Sequence, residues 1–198
     1  MRFITLPVII ALMVLASCGE DKPLPVIFDL VDGVVTTERF EELALENHRK
    51  EGVTEIFMMS TGDEDVTGEK ISKQGRMRAS GFGTYMMGYD GEVFLASNDP
   101  INTYLIMPAS SLVKGSVDNF EAGASAATVA EKIKSNYMGK RIVLVGGSDF
   151  LVDVANMVAD TEVLGNWPKE GLGAVVHVTV GGAAPTATAY GFVTNREN

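Results

Sequence analysis

Arg141-Ile142-Val143-Leu144-Val145-Gly146-Gly147-Ser148-Asp149 is the stretch whose reading decides the fold. Four consecutive apolar residues follow Arg141, without the polar alternation that a solvated sheet face imposes. They read as a central strand buried on both sides. Gly146-Gly147-Ser148 then turns the chain. From Asp149 to Asp160, Leu151, Val154, Ala155 and Val158 recur at the spacing of a helix with one buried face. Strand, glycine turn and helix in that order make an α/β unit.

Working outward, Ser125 to Tyr137 reads as a helix with Val129, Ala130 and Ile133 on one face and Gly139 behind it. Ala174 to Val180 and Thr186 to Thr194 read as closing strands. Val53 to Ser60 is another strand, with Ile56-Phe57-Met58-Met59 too continuous for one exposed face. Val26 to Val31 begins the domain as a strand. Thr36 or Thr37 caps an expected helix running to about Lys50, with acids early, Arg49 and Lys50 late, and His48 on its surface. Thr61 to Arg78 reads as a loop, and Ala79–Tyr89 and Glu92–Ser97 as a hairpin about Asp90-Gly91. Tyr104 to Met107 adds a short strand, and Pro108 to Gly123 reads as irregular. The expected fold class is therefore mixed α/β (α+β), a largely antiparallel mixed sheet covered by about three helices.

Two halves, 26–107 and 124–198, share an order of strand, helix, strand, strand. Ala79-Ser80-Gly81-Phe82-Gly83-Thr84 in one matches Ala189-Tyr190-Gly191-Phe192-Val193-Thr194 in the other. Either two β-α-β-β repeats or common strand chemistry accounts for this. The second half also resembles the small β-α-β-β periplasmic stress proteins of enterobacteria over about fifty residues. It lacks the Thr-Ala that follows the glycine in those, and no functional residue is carried over.

The chain opens with Met1-Arg2, an apolar run from Phe3 to Val14, and Leu15-Ala16-Ser17-Cys18. That run suits a signal-peptide core and is short for a membrane span. Leu-Ala-Ser-Cys resembles the bacterial lipoprotein lipobox. The resemblance implies cleavage after residue 17, lipid on Cys18, and anchorage to the cell envelope. Gly19 in place of aspartate favours the periplasmic face of an outer membrane. The domain boundaries expected are a leader at 1–17, a lipidated tether at 18–25, and one globular domain at 26–198.

Composition excludes several functions. The whole chain carries 16 Lys+Arg against 26 Asp+Glu; Arg2 leaves with the leader, so the mature net charge is −11. Such acidity disfavours nucleic acid as a partner. Cys18 is the one cysteine, so no disulfide is available. Lys70, Lys73, Arg76 and Arg78 form a basic run with no intervening acid, either a solvated face or a contact for an envelope protein.

Three constellations could carry chemistry. Gly146, Gly147, Ser148 and Asp149 stand where backbone amides at a helix start can hold an anion. The turn has neither a phosphate-loop lysine nor a nucleophile elbow, and Ser148 serves equally as an N-cap. Asp63, Asp65 and Thr67, with Gly68, begin like a calcium loop, but Gln74 stands where the last ligand belongs. His48 and His177, the two histidines, have no second ligand at metal spacing, and His177 reads as a half-exposed sheet residue. Met58-Met59 and Met86-Met87 cannot each converge on one ion from a strand, and read as core.

No catalytic residue, metal or cofactor is assigned on this evidence. The expected function is a non-catalytic envelope lipoprotein that binds or scaffolds other envelope proteins. The alternative is a periplasmic ligand-binding or enzymatic domain using the Gly146–Asp149 turn.

Overall fold

The computed structural model describes residues 23–192. The expected leader, Cys18 and most of the tether lie outside the described residues, as does the end of the last expected strand. β1 (Ile27–Val31), β2 (Val34–Thr37) and β3 (Glu42–Ala44) form a small antiparallel sheet. The helix expected from Thr36 to Lys50 is absent. Burial alternates along β2 with the period of a strand. Phe40, Asn47 and Arg49 then take left-handed backbone conformations that no helix tolerates. Phe40, which a helix here would place on its apolar stripe with Leu43 and Ala44, is 78% exposed.

β4 (Thr54–Thr61) is buried along seven of its eight residues, as its unbroken apolar run requires. Met58 and Met59 pack into the cores on opposite faces of the sheet. After β4 comes a 3-10 turn at Asp63–Asp65. The two-residue strands β5 (Val66–Thr67) and β6 (Lys70–Ile71) follow, and then α1 (Lys73–Tyr89). Here the sequence misleads. The glycines and aromatics between Ala79 and Tyr89 suggest strand and turn, yet Ala79, Phe82, Met86 and Tyr89 are buried at helical intervals. Ser72 caps the helix by accepting from the Gly75 amide. Gly88 is required by close approach: a Cβ there would lie 1.6 Å from the Leu30 carbonyl oxygen. Asp90, in the left-handed region, ends α1 rather than turning a hairpin.

β7 (Val93–Ser97) leads to α2 (Pro100–Val113), whose N-cap Asp99 accepts from the amides of Ile101 and Asn102. Thus the expected short strand is helix, and the expected irregular region holds the end of α2 followed by a strand at Ser116–Phe120. β8 (Ser116–Phe120), α3 (Ala126–Asn136), β9 (Arg141–Gly147), α4 (Ser148–Ala159), β10 (Ala174–Val180) and β11 (Thr186–Gly191) complete the chain.

The fold is mixed α/β, with a six-stranded sheet in the order β11-β10-β4-β9-β7-β8. β4, β9, β7 and β8 run parallel, while β10 and β11 are antiparallel additions. The centre is therefore parallel, and four helices divide between two faces. α1, α2 and the small sheet cover one; α3 and α4 cover the other. The matching hexapeptides do not share a structure. Ala79–Thr84 lies in α1, whereas Ala189–Gly191 ends β11.

Candidate functional site

In an open α/β sheet, ligands sit beyond the carboxyl ends of the strands where neighbouring connections leave for opposite faces. β4 and β9 meet that condition. They pair in parallel, with Ser60 opposite Gly146 and Thr61 opposite Gly147. β4 continues toward α1 on one face and β9 into α4 on the other. The Gly146–Asp149 turn singled out above thus stands at this switch point, across from Thr61, Gly62 and Asp63.

The turn is built for access. Gly146 is buried, and a Cβ there would press into the Phe150 ring at 2.8 Å, which explains its glycine. Gly147 is exposed, and a Cβ on it would meet nothing within 4 Å. The N-cap of α4 is Gly147, not Ser148, so no side chain caps that helix. Its first amides and the positive end of its dipole therefore face the crevice. The segment from Gly165 to Gly173 closes one side. Ser60 Oγ and Trp167 Nε1 both donate to the Gly171 carbonyl, at 3.3 and 3.0 Å. Beside it, a cavity of about 200 Å³ is lined by Asp149, Asp153, Asn166 and Trp167.

The opposite lip is locked from beneath. Arg78 donates from Nη1 to Asp65 Oδ2 at 2.6 Å and from Nη2 to the Ser60 carbonyl at 2.8 Å. The Gly62 amide donates to the same Asp65 oxygen at 3.2 Å. Both charged side chains are buried, and Arg78 Nε and Asp65 Oδ1 have no partner. This corrects two expectations. Asp65 serves an arginine rather than calcium, and among the described residues no group of three His, Cys, Asp or Glu could hold a metal ion. Arg78 is inside the protein, so the basic run is not one surface patch. Lys70 on β6, Lys73 at the start of α1 and Arg76, whose Nη1 donates to the Ile71 carbonyl at 2.8 Å, are its exposed members.

The two histidines meet at the other end of β4. His48 Nδ1 and His177 Nε2 lie 2.9 and 3.1 Å from Glu55 Oε2, and the Arg49 amide donates to Oε1 at 2.7 Å. Burial by itself pushes the Glu55 carboxyl up. The hydrogen bonds from His177, His48 and the Arg49 amide outweigh it and hold the group at about 2. Glu55 is thus ionised and accepts from both rings, which makes His48 Nδ1 and His177 Nε2 the donors. His177 is buried, not half-exposed, and the His48 side chain is largely covered rather than on a helix surface. Tyr89 closes the cluster at ring-centroid distances of 5.8 Å from His48 and 6.0 Å from His177. Burial raises its phenol well above the usual range. Sequence reasoning missed both buried networks because their members are far apart along the chain.

No family model and no curated protein matches this chain. Solved structures do. A protein described as phosphohistidine phosphatase SixA from Nakamurella multipartitia superposes with a TM-score of 0.51 at 12% identity, covering 69% of this chain and 94% of that one. A mycobacterial glucosyl-3-phosphoglycerate phosphatase gives 0.53 at 11% identity, covering 71% and 100%. A second mycobacterial hydrolase gives 0.50 at 10% identity, covering 74% and 94%. At such identity the likeness is one of fold. It nevertheless overturns the expectation of a non-catalytic envelope scaffold. The similar folds are those of proteins described as phosphatases.

Proposed function

We propose that this chain is an enzymatic domain acting on a small phosphorylated substrate held at the carboxyl ends of β4 and β9. The observation that carries this reading is the uncapped N-terminus of α4, open at Gly147 and directly across from Thr61. Amides and helix dipole there suit a phosphoryl group. Charge narrows the substrate further. Asp63 and Asp149 rim the crevice as exposed carboxylates, so a polyphosphate is repelled, and a single phosphoryl group on a neutral or cationic body fits best.

Both histidines are committed to Glu55. The reacting groups at the crevice are then the hydroxyls of Thr61 and Ser148, with Asp63 and Asp149 as the carboxylates able to take a proton from them. The test is an amide-resolved NMR titration with inorganic phosphate, paired with phosphate release from p-nitrophenyl phosphate. Shifts centred on Gly147–Asp149 and turnover lost in Thr61→Val or Ser148→Ala are expected. Absence of both shift and turnover removes the reading.

The place of action is a separate proposal, resting on Leu15-Ala16-Ser17-Cys18: a lipid tether at Cys18, checked by uptake of a clickable fatty acid in wild type and its loss in Cys18→Ser. Among the described residues, no helix is long and apolar enough to cross a membrane.

A further inference from the structure

Phe40 is the most exposed large apolar side chain among the described residues, at 78%, and its backbone lies in the left-handed region at φ 60°. A bulky residue rarely takes that conformation. The turn around it holds it there. The Phe40 amide donates to the Thr37 carbonyl at 2.9 Å, and the Thr37 hydroxyl oxygen accepts from the Arg39 and Glu41 amides at 3.3 and 3.2 Å. Thr37 itself is buried. Strained but well-bonded backbone thus presents an aromatic ring to the outside, a combination that marks a functional contact. Phe28 stands beside it, with ring centroids 5.9 Å apart and 43% exposure.

The start of the domain runs alongside this turn. The Glu38 amide donates to the Val26 carbonyl at 2.9 Å, and residues 23–26 line one cleft with Thr37, Glu38, Arg39 and Glu41. Cys18 precedes Pro23 by five residues, so the two lie within about 18 Å of each other however the chain runs. We propose that Phe40, with Phe28 at its side, inserts into the surface of the bilayer that holds Cys18. This docking rests on the lipid tether at Cys18. Aromatic rings alone bind a membrane surface weakly. A short tether makes the encounter intramolecular, and a weak contact then suffices. Charge selects the lipid. Glu38, Glu41 and Glu42 flank the ring against Arg39 alone, and all four are exposed. An anionic headgroup layer repels that set, so the surface is one of zwitterionic phospholipids. The small sheet packs on the α1 and α2 side of the main sheet, so α4, on the other side, is turned away from the membrane.

The test uses the full chain purified from membranes and reconstituted into phosphatidylcholine vesicles with brominated acyl chains, which quench an indole only at lipid depth. Wild type carries Trp167 alone and supplies the baseline. Phe40→Trp adds an indole at the contact, and Met157→Trp adds one at an exposed position of α4. Emission from position 40 shifts to the blue and loses more than half of its intensity; emission from position 157 loses none. Phosphatidylglycerol mixed in at constant bromine content and low salt relieves the quenching at position 40, and added salt brings it back. An intact-mass spectrum separates the two ways of failing. A chain without lipid on Cys18 removes the tether, and this docking with it. A lipidated chain that is unquenched at position 40, or quenched equally at 40 and 157, overturns the docking alone. Quenching at position 40 that grows with phosphatidylglycerol overturns the choice of lipid.

Discussion

The two ends of β4 each hold a buried carboxylate, and each solves the problem of burying it differently. At the carboxyl end, Asp65 pairs with Arg78, a permanent cation delivered by α1. At the amino end, Glu55 is held by two imidazoles and a backbone amide. Both arrangements leave interior polar atoms without partners: Arg78 Nε and Asp65 Oδ1 at one end, His48 Nε2 and Tyr89 Oη at the other. The contrast separates their roles. The arginine pair ties Ser60, Gly62 and Asp65 into one lip of the crevice. The histidine cluster fastens the segment after the small sheet to the main sheet through two imidazoles and one shared carboxylate.

Breaking the carboxyl end should have the largest effect. Arg78→Met leaves the Asp65 carboxylate buried without its cation, a loss of about 3–5 kcal/mol. Chemical denaturation measures it. Adding Asp65→Leu should recover part of that loss, because an apolar pair needs no charge balance. A double mutant no more stable than Arg78→Met would mean that the lip depends on the carboxylate itself, through the Gly62 amide.

The amino end should fail by acid instead. The Glu55 carboxyl is held at about 2 against an ordinary 4.5. The unfolded chain therefore takes up this proton first as pH falls. The stabilisation is complete above about pH 4.5 and is lost progressively toward pH 2. Its size is about 3 kcal/mol at one pKa unit per 1.36 kcal/mol. Glu55→Gln should flatten the stability–pH curve across that window. Equal slopes in wild type and Glu55→Gln would erase the distinction between the two ends.

The turn facing β4 should respond more mildly. Gly146→Ala forces a Cβ toward the Phe150 ring, which is stacked on Phe120; overpacking of this kind costs about 1–3 kcal/mol. Ser148→Ala is the smallest change. With Gly147 as the N-cap, the serine hydroxyl caps nothing, and stability should move by no more than about 0.5 kcal/mol. A loss near 1 kcal/mol would restore Ser148 to the capping role its position first suggests.

What the sequence determined by itself was local. Arg141–Val145 and Val53–Ser60 could only be interior strands, and Ser125–Tyr137 and Asp149–Asp160 only amphipathic helices, because apolar periodicity is written in neighbouring residues. The Gly146–Asp149 turn was legible for the same reason. Tertiary structure decided the rest. α1 is a helix despite Gly75, Gly81, Gly83 and Gly88 because packing against Leu30 and Pro108 leaves no room for larger side chains at two of them, and tertiary packing outweighs weak local propensity. The parallel centre of the sheet, which makes β4 and β9 a switch point, follows from crossovers that no single segment encodes. Asp65 with Arg78, and His48 with Glu55 and His177, are joined across 7 to 122 residues. A buried charge finds its partner through space, and only the folded chain brings those positions together.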